Sequence, residues 1–430
     1  MTTDKQVEWL REGDIWPDTE DDELRTRLLE NGAIGPGQSG LRVRFVGAIV
    51  FRGRTMAALP KVHASRSPED VHRHALRAMR RYRQWAPTHH EPSPYLNESP
   101  DKGPVSTLAA ADWLIRDFAA HGLLRRTEIS HEVNGGGQIN WRRTIESTDV
   151  VMSRGRPVYL DTITRRSESD NSNFATRLHC YLLERLSREY APLLDLEPIV
   201  LDHEAVERLE ALPSIEECKA RLAIEQRVTY SQRGMDLLAM MLATIESLEI
   251  ETELGLSLFG TSSFYHIWEV ACGRVFGNEV EIWKPFIPKP RWISAGGQRT
   301  ESDTFIPDLV AELNDHELLI GDAKYYRPAM PPALRDVPGV NDVAKQIWYK
   351  DCLKSEAQRR SYSIIQNVFL FPRDVEQMSL LGHVELPAGG ERIDAVAVPF
   401  LDALAIYSGD KPHIPQKWRE RLSIVLRMLP

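Results

Sequence analysis

The 430-residue sequence has only four cysteines, Cys180, Cys218, Cys272 and Cys352, and no CxxC spacing among them. A zinc centre and a disulfide framework are therefore not expected. No apolar run approaches the roughly 20 residues that a membrane span requires, and the start, MTTDKQVEWLREGDIW, has neither the basic segment nor the apolar core of a signal peptide. A cytoplasmic protein with no membrane partner is expected. There is no excess of positive charge either: the formal net charge is −9. Met1 to Glu30 carries a net −6, which leaves −3 for the other 400 residues. A basic patch on a nearly neutral body stays possible, so global charge neither supports nor excludes nucleic acid. Gly255-Leu-Ser-Leu-Phe-Gly260-Thr261-Ser262 resembles a phosphate-binding loop but has Thr where the phosphate-binding Lys is needed, so nucleotide binding is not expected there. No internal repeat or low-complexity tract is visible.

What is present, at 42% hydrophobic and 27% charged residues, is an ordinary globular composition with length enough for two or three cores. The N-terminal part reads as mixed α/β. A capped helix spans Leu24 to Asn31, and a hairpin spans Leu41 to Val62 around Arg52-Gly53. A helix follows that carries Arg73, Arg77, Arg80, Arg81 and Arg83, for which a surface face is the plainer reading and phosphate contact the alternative. Ala86 to Pro104 reads as a loop and Leu108 to Arg126 as an amphipathic helix closed near Gly122. Glu128 to Thr144 has strand character around Gly135-Gly136-Gly137, predicting a Gly-tipped hairpin, with a winged-helix DNA reader as the alternative. A strand at Arg156 to Thr164 is followed by helices at Asn173 to Tyr190, Pro213 to Gln226 and Gly234 to Ile250. The boundary between an N-terminal region, 1–230, and a C-terminal domain, 231–430, is placed at the last of these.

The chemistry concentrates in Thr304 to Tyr326. Two strand-like runs, Phe305 to Leu313 and Glu317 to Tyr325, flank Asn314-Asp315-His316, a loop short enough to close a hairpin. Alternation puts Asp322 and Lys324 on one face with Leu318 and Ile320, and Asp308 on one face with Ile306 and Val310. Around the hairpin the order reads helix (Ser262 to Phe276), strand (Glu279 to Ile287), a Pro- and Gly-containing loop, the two strands, a Pro-rich loop (Arg327 to Pro338), helix (Asp342 to Ser355) and strand (Ile364 to Pro372). Glu269 borders the apolar stripe of the first helix, as a surface residue or as a third carboxylate.

Pro307-Asp308, thirteen residues, then Asp322-Ala323-Lys324 resembles the PD-(D/E)XK nuclease motif. A hard divalent cation needs oxygen ligands, and two carboxylates beside a backbone carbonyl supply them. That resemblance implies an α/β fold: a C-terminal nuclease core of mixed sheet flanked by helices, beside the N-terminal mixed α/β region. It implies Mg2+, replaceable by Mn2+, held by Asp308, Asp322, the Ala323 carbonyl and Glu269. Lys324 would position or deprotonate the attacking water or offset transition-state charge. Gln346 or Tyr349 would support the site from the following helix. Further segments, Phe45-Val46-Gly47 with Leu59-Pro60-Lys61, Gln138 to Ile145, Pro157-Val158-Tyr159, and Phe259 to Phe264 with Ile267-Trp268-Glu269, resemble the LlaJI-type restriction endonucleases, relatives of McrC, from about Leu41 to Phe371. The resemblance implies a DNA endonuclease of an anti-phage system working with an McrB-like AAA+ GTPase. The rival readings are a non-catalytic adaptor of such a motor and a nuclease acting alone. A double-strand break generally requires two sites, which makes a homodimer or higher assembly an expectation.

Overall fold

The computed structural model describes residues 7–17, 21–62, 65–85, 105–170, 172–201, 208–331, 334–386 and 391–427. The segment Ala86 to Pro104 lies outside them. The chain is mixed α/β and forms two compact units, one from Met1–Leu96 with Leu258–Pro430 and one from Asn97–Ser257. The position 230/231 falls inside the second of these.

In the first unit, alternation builds a five-stranded mixed sheet in the order Leu309–Asn314, Glu317–Ala323, Ile364–Arg373, Glu391–Pro399 and Ser379–Leu386. Its outer pairs are antiparallel and its inner pairs parallel. The helix Val340–Arg359 covers one face, where Val310, Leu318, Ile320, Tyr349 and Leu353 form a buried cluster. The helix Phe264–Phe276 and the helix Phe400–Ser408 cover the other through Trp268, Phe264, Phe400 and Tyr325. Trp268 also donates its indole N–H to the Leu370 carbonyl at 3.3 Å, so this large apolar group enters the core with its polar atom satisfied.

A second sheet in this unit has the order Glu8–Arg11, Arg54–Leu59, Val46–Phe51 and Leu256–Thr261. Its hairpin turns at Arg52-Gly53, both with positive φ, as a two-residue turn matched to strand twist requires. The helix Asp22–Glu30 is capped by Asp21, whose carboxylate accepts the Leu24 N–H at 3.0 Å. The Arg-bearing helix spans Pro68–Trp85.

One expected strand and one expected loop are corrected. Glu279 to Ile287 forms a short helix, Val280–Trp283, and a 3-10 turn, Lys284–Phe286. Asn278 Oδ1 accepts the Val280 N–H at 3.0 Å and starts the turn, while Pro285 and Pro288 remove ladder donors. The Pro288 to Ser302 loop contains its own small hairpin, Arg291–Ile293 with Arg299–Glu301.

In the second unit the Gly-tipped hairpin is also corrected. The strand Ile163–Asp170 lies between Arg126–Val133 and Gln138–Ile139, giving three strands rather than a two-stranded wing. A Cβ on Gly137 would sit 2.3 Å from the Arg165 carbonyl oxygen, so glycine serves close backbone approach to that inserted strand rather than a tip. Trp141–Ser147 is a helix capped by Asn140, which accepts the Arg143 N–H at 3.2 Å. The helices Thr107–His121, Phe174–Tyr190, Ile215–Val228 and Gln232–Leu254 follow the expected order. Arg233 ties two of them, donating to both Asp117 oxygens and to the Gly122 carbonyl.

Within this unit His179 is fully buried, and its Nδ1 accepts the Leu124 N–H at 3.1 Å. Burial pushes the imidazole from 6.5 down to about 4, opposed by Asp117 and reinforced by Arg233. A His lowered in the folded state contributes stability above pH 6.5 that is lost as pH falls toward 4. The loss amounts to about 3 kcal/mol. The melting temperature of this unit should fall steeply between those pH values, and His179→Gln, which can keep an acceptor for Leu124, should flatten that dependence in a pH series of thermal melts.

Candidate active site

The hairpin Leu309–Asn314 and Glu317–Ala323 pairs Val310 with Ile320 and Leu309 with Gly321, so Asp308 arrives beside Asp322-Ala323. The Ala323 N–H donates to Asp308 Oδ2 at 2.9 Å. N–H and C=O of one strand residue point to the same side, so the Ala323 carbonyl is directed toward Asp308 as well. Lys324 turns its backbone the other way, to the Leu370 carbonyl at 2.9 Å. Its Nζ lies 2.7 Å from Asp322 Oδ2 and 2.9 Å from Asp342 Oδ1. Asp308, Asp322 and Lys324 therefore converge on the face covered by Val340–Arg359, as alternation predicts.

Electrostatics follow from that crowding. Burial raises the Asp308 carboxyl well above its usual range, and the negative charges of Asp322 and Glu269 raise it further, against the Ala323 N–H that favours the anion. Burial alone would lower the Lys324 ammonium, but Asp322 and Asp342 outweigh it and hold the group firmly protonated. Glu269 approaches from the helix Phe264–Phe276 with His266, whose Nδ1 is 3.2 Å from Glu269 Oε2.

The helix Val340–Arg359 places the supporting groups. Tyr349 donates its hydroxyl to the Ile306 carbonyl at 3.1 Å and so fixes the chain entering Asp308. Gln346, one turn after Asp342, is fully buried, and neither atom of its side-chain amide has a hydrogen-bond partner among the described residues. Three positions were not read from the sequence as site residues. Asp342 holds Lys324 and also accepts the Gly339 N–H at 3.2 Å through its other oxygen. Asn278 donates to the Asp308 carbonyl at 2.7 Å and accepts the Val310 N–H at 3.1 Å, clamping the backbone on both sides of the strand start. Tyr325, directly after Lys324, donates to Glu12 Oε2 at 2.8 Å and accepts the Lys61 N–H at 3.1 Å, which anchors the strand end in the N-terminal segment. A short polar side chain that can accept the N–H two residues on and start a helical turn, as Asn278 does for Val280, is the signal that could have found one of them.

Among the described residues no group of three or more His, Cys, Asp or Glu side chains is arranged to hold one metal ion. The donor set that does converge is two carboxylates and a carbonyl, and its character suits a hard cation: oxygen donors with an excess of negative charge at Asp308 and an orphaned amide on the adjoining helix.

A family model for the LlaJI restriction endonuclease matches residues 45–404. The chain belongs to the LlaJI restriction endonuclease family. It is 26% identical to the type II restriction enzyme BsuMI component YdjA of Bacillus subtilis (strain 168) over 326 residues, 74% of this chain and 69% of that protein. It also resembles a chain in the assembly of Thermococcus gammatolerans McrB AAA+ hexamers with bound McrC, at 13% identity and a TM-score of 0.40, covering 98% of this chain and 100% of that one.

In this LlaJI-family chain the segments that carried the resemblance have different structural roles. Phe45 to Gly47, Leu59 to Lys61 and Phe259 to Thr261 meet in the four-stranded sheet beside Tyr325. The Gln138 to Ile145 segment lies on the surface of the second unit, with Trp141 55% and Ile145 59% exposed. No helix of the described residues is long and apolar enough to cross a membrane.

Asp342 gives a graded prediction. Asp342→Asn removes one of the two negative charges on Lys324 while Asp322 keeps the other, so cleavage should fall by about tenfold, with the melting temperature nearly unchanged. Single-turnover rates of the two proteins would check it.

Proposed function

We propose that this chain is the metal-dependent DNA endonuclease subunit of an anti-phage restriction system, hydrolysing phosphodiester bonds together with an AAA+ GTPase. The observation that carries the reading is the convergence of Asp308, Asp322 and Lys324 at one end of a buried hairpin in a chain of the LlaJI family. The multi-subunit part is supported by the resemblance to LlaJI-type and McrC-like sequences and by a relative described as one component of a restriction enzyme.

Asp308, Asp322 and the Ala323 carbonyl would hold Mg2+ or Mn2+, with Glu269 completing the negative field. A cation bound there supplies charge against the scissile phosphate and lowers the pKa of water. Lys324, kept protonated and held between Asp322 and Asp342, orients the attacking water and offsets negative charge as it develops on the phosphate. A protonated ammonium is a donor rather than a base, so of the roles open to this lysine, positioning and charge stabilisation are the ones its surroundings favour. Asn278 and Tyr349 hold the backbone on either side of Asp308, so the carboxylate keeps its place without a ligand.

The test is cleavage of supercoiled plasmid by the full chain in Mg2+ or Mn2+ and in EDTA, with and without the GTPase and GTP. Cutting that needs the cation, the GTPase and GTP supports the reading in full. Cutting that needs only the cation removes the motor. GTPase stimulation without any cutting leaves a non-catalytic adaptor.

A further inference from the structure

Beyond the carboxylate site, the first unit carries a cavity of about 620 Å³ at the carboxyl ends of the parallel strands Glu317–Ala323 and Ile364–Arg373. Its charged lining is Arg327, Arg335, Arg373, Asp336 and Asp374, three arginines to two aspartates, with apolar side chains completing the wall. In open α/β sheets, ligands bind outside this end of the strands. Two chain positions tie the cavity to the carboxylate site. Arg327 comes three residues after Lys324, and Arg373 comes three residues after Leu370, whose carbonyl accepts the Lys324 N–H.

Among the described residues the arginines keep unengaged donors. The side chains of Arg327 and Arg335 make no hydrogen bond or ion pair among the described residues. Arg373 donates one Nη2 bond to the Pro328 carbonyl, and its Nε is buried with no partner among the described residues. Of the two aspartates, Asp374 is engaged by the Ser65 N–H at 2.6 Å. Positive charges also crowd one another here. Burial lowers Arg373, Arg11 and Lys61 from their ordinary values, and the charge of Arg327 lowers all three further, opposed by the larger effects of Asp14 on Arg11 and of Glu12 and Asp336 on Lys61. Like charges gathered at one cavity are unfavourable unless an anion joins them.

We propose that this cavity binds an internal phosphodiester of the DNA strand, with Arg327, Arg335 and Arg373 as its donors, and anchors the strand next to the carboxylate site. The planar guanidinium fork matches phosphate oxygens, and the placement directly beyond Lys324 puts the anchored phosphate on the strand that enters the site. The proposal rests on the nuclease reading given above, and binding can be measured apart from cleavage.

The experiment is fluorescence anisotropy of a short blunt DNA duplex with the full chain in EDTA, across a salt series, for the wild type and Arg327→Gln/Arg335→Gln. These two side chains have no internal partner, so the double variant should fold as the wild type does, which circular dichroism checks. Arg373→Lys, which keeps charge but loses the fork, is the second variant. The double variant should bind about tenfold more weakly at about 0.1 M salt, and its salt slope should drop by about one, the signature of one lost phosphate contact. Arg373→Lys should weaken binding less. The 5′-phosphorylated and 5′-hydroxyl duplexes should behave alike. Unchanged affinity and slope would overturn the proposal, as would a loss confined to 5′-phosphorylated duplex, which would make the cavity a terminal-phosphate site. If the double variant binds like the wild type while the wild type cuts plasmid, the anchor falls and the nuclease stands. If binding falls as expected but nothing is ever cut, the anchor stands and catalysis falls.

Discussion

Replacing Asp322 by asparagine should abolish plasmid cleavage while leaving the protein folded. Asp322 is the carboxylate that the geometry uses twice, within hydrogen-bonding reach of Asp308 and 2.7 Å from the Lys324 ammonium. Asparagine keeps the shape and one oxygen but loses the charge that a hard cation requires of its ligands. A loss of about a thousandfold or more in the single-turnover rate is expected, about 4 kcal/mol of transition-state stabilisation. The fold has reasons to tolerate the change. Lys324 keeps Asp342 at 2.9 Å, so no buried cation is stranded. Asp308, raised in part by the Asp322 charge, is relieved of a like charge. The melting temperature in EDTA should therefore stay level or rise slightly. In Mg2+ or Mn2+ the wild type should gain thermal stability that the variant does not, a ligand effect independent of catalysis. Equal cutting by both proteins would remove Asp322 from the site, and a variant that melts far below the wild type would mean the carboxylate is structural instead.

The hairpin was legible because its two-residue alternation coincides with a polar interruption: Asp322 and Lys324 continue the face of Leu318 and Ile320, where a charged pair has no reason to stand in a purely structural strand. The helices were legible from apolar periodicity, and the structure adds side-chain caps at Asp21, Ser106, Asn173 and Ser214. What stayed hidden depends on partners distant in sequence. Asp342 meets Lys324 only because the helix Val340–Arg359 packs over the sheet, and a carboxylate in a first helical turn is indistinguishable from a dipole-complementing residue. Glu279 to Ile287 looked like a strand because Val280, Ile282 and Trp283 have strand propensity, yet Asn278 and two prolines made it helical. Local propensity yielded to side-chain hydrogen bonding there. Gly135-Gly136-Gly137 looked like a tip because turns and close strand approaches ask for the same residue. Glu12, Lys61 and Tyr325 could not be linked at all, since more than 260 positions separate Lys61 from Tyr325.

Gly260→Ala should unfold the four-stranded sheet, and Gly47→Ala should do the same from the opposite strand. The two glycines face each other where Val46–Phe51 runs beside Leu256–Thr261. A Cβ on Gly260 would lie 2.2 Å from the Val46 carbonyl oxygen and 2.8 Å from the Gly47 Cα. On Gly47 it would lie 2.2 Å from the Phe259 carbonyl oxygen, and Gly47 also has a φ of +145°, which side-chain-bearing residues rarely adopt. The nearest obstacles are backbone atoms of paired strands, joined at Gly260 by the Cζ of the fully buried Phe45 ring at 2.5 Å, so the strands themselves must separate. A cost of about 3 kcal/mol or more follows for either change, a large part of the total stability of a domain. Gly136→Ala is the matching control, since nothing lies within 4 Å of a Cβ there and its φ is not positive. That substitution should be neutral or stabilising by up to about 1 kcal/mol, because alanine has less freedom to lose on folding. Urea titrations of the three variants check this, with loss of cleavage expected for Gly47→Ala and Gly260→Ala as a consequence of unfolding. The strand Arg54–Leu59 leads directly into Lys61, and Lys61 with Glu12 holds Tyr325 at the end of the Asp322 strand. A glycine contact in the N-terminal segment thus supports the position of Lys324, and this gives Phe45-Val46-Gly47 and Phe259-Gly260-Thr261, two of the segments on which the resemblance was read, one common physical cause.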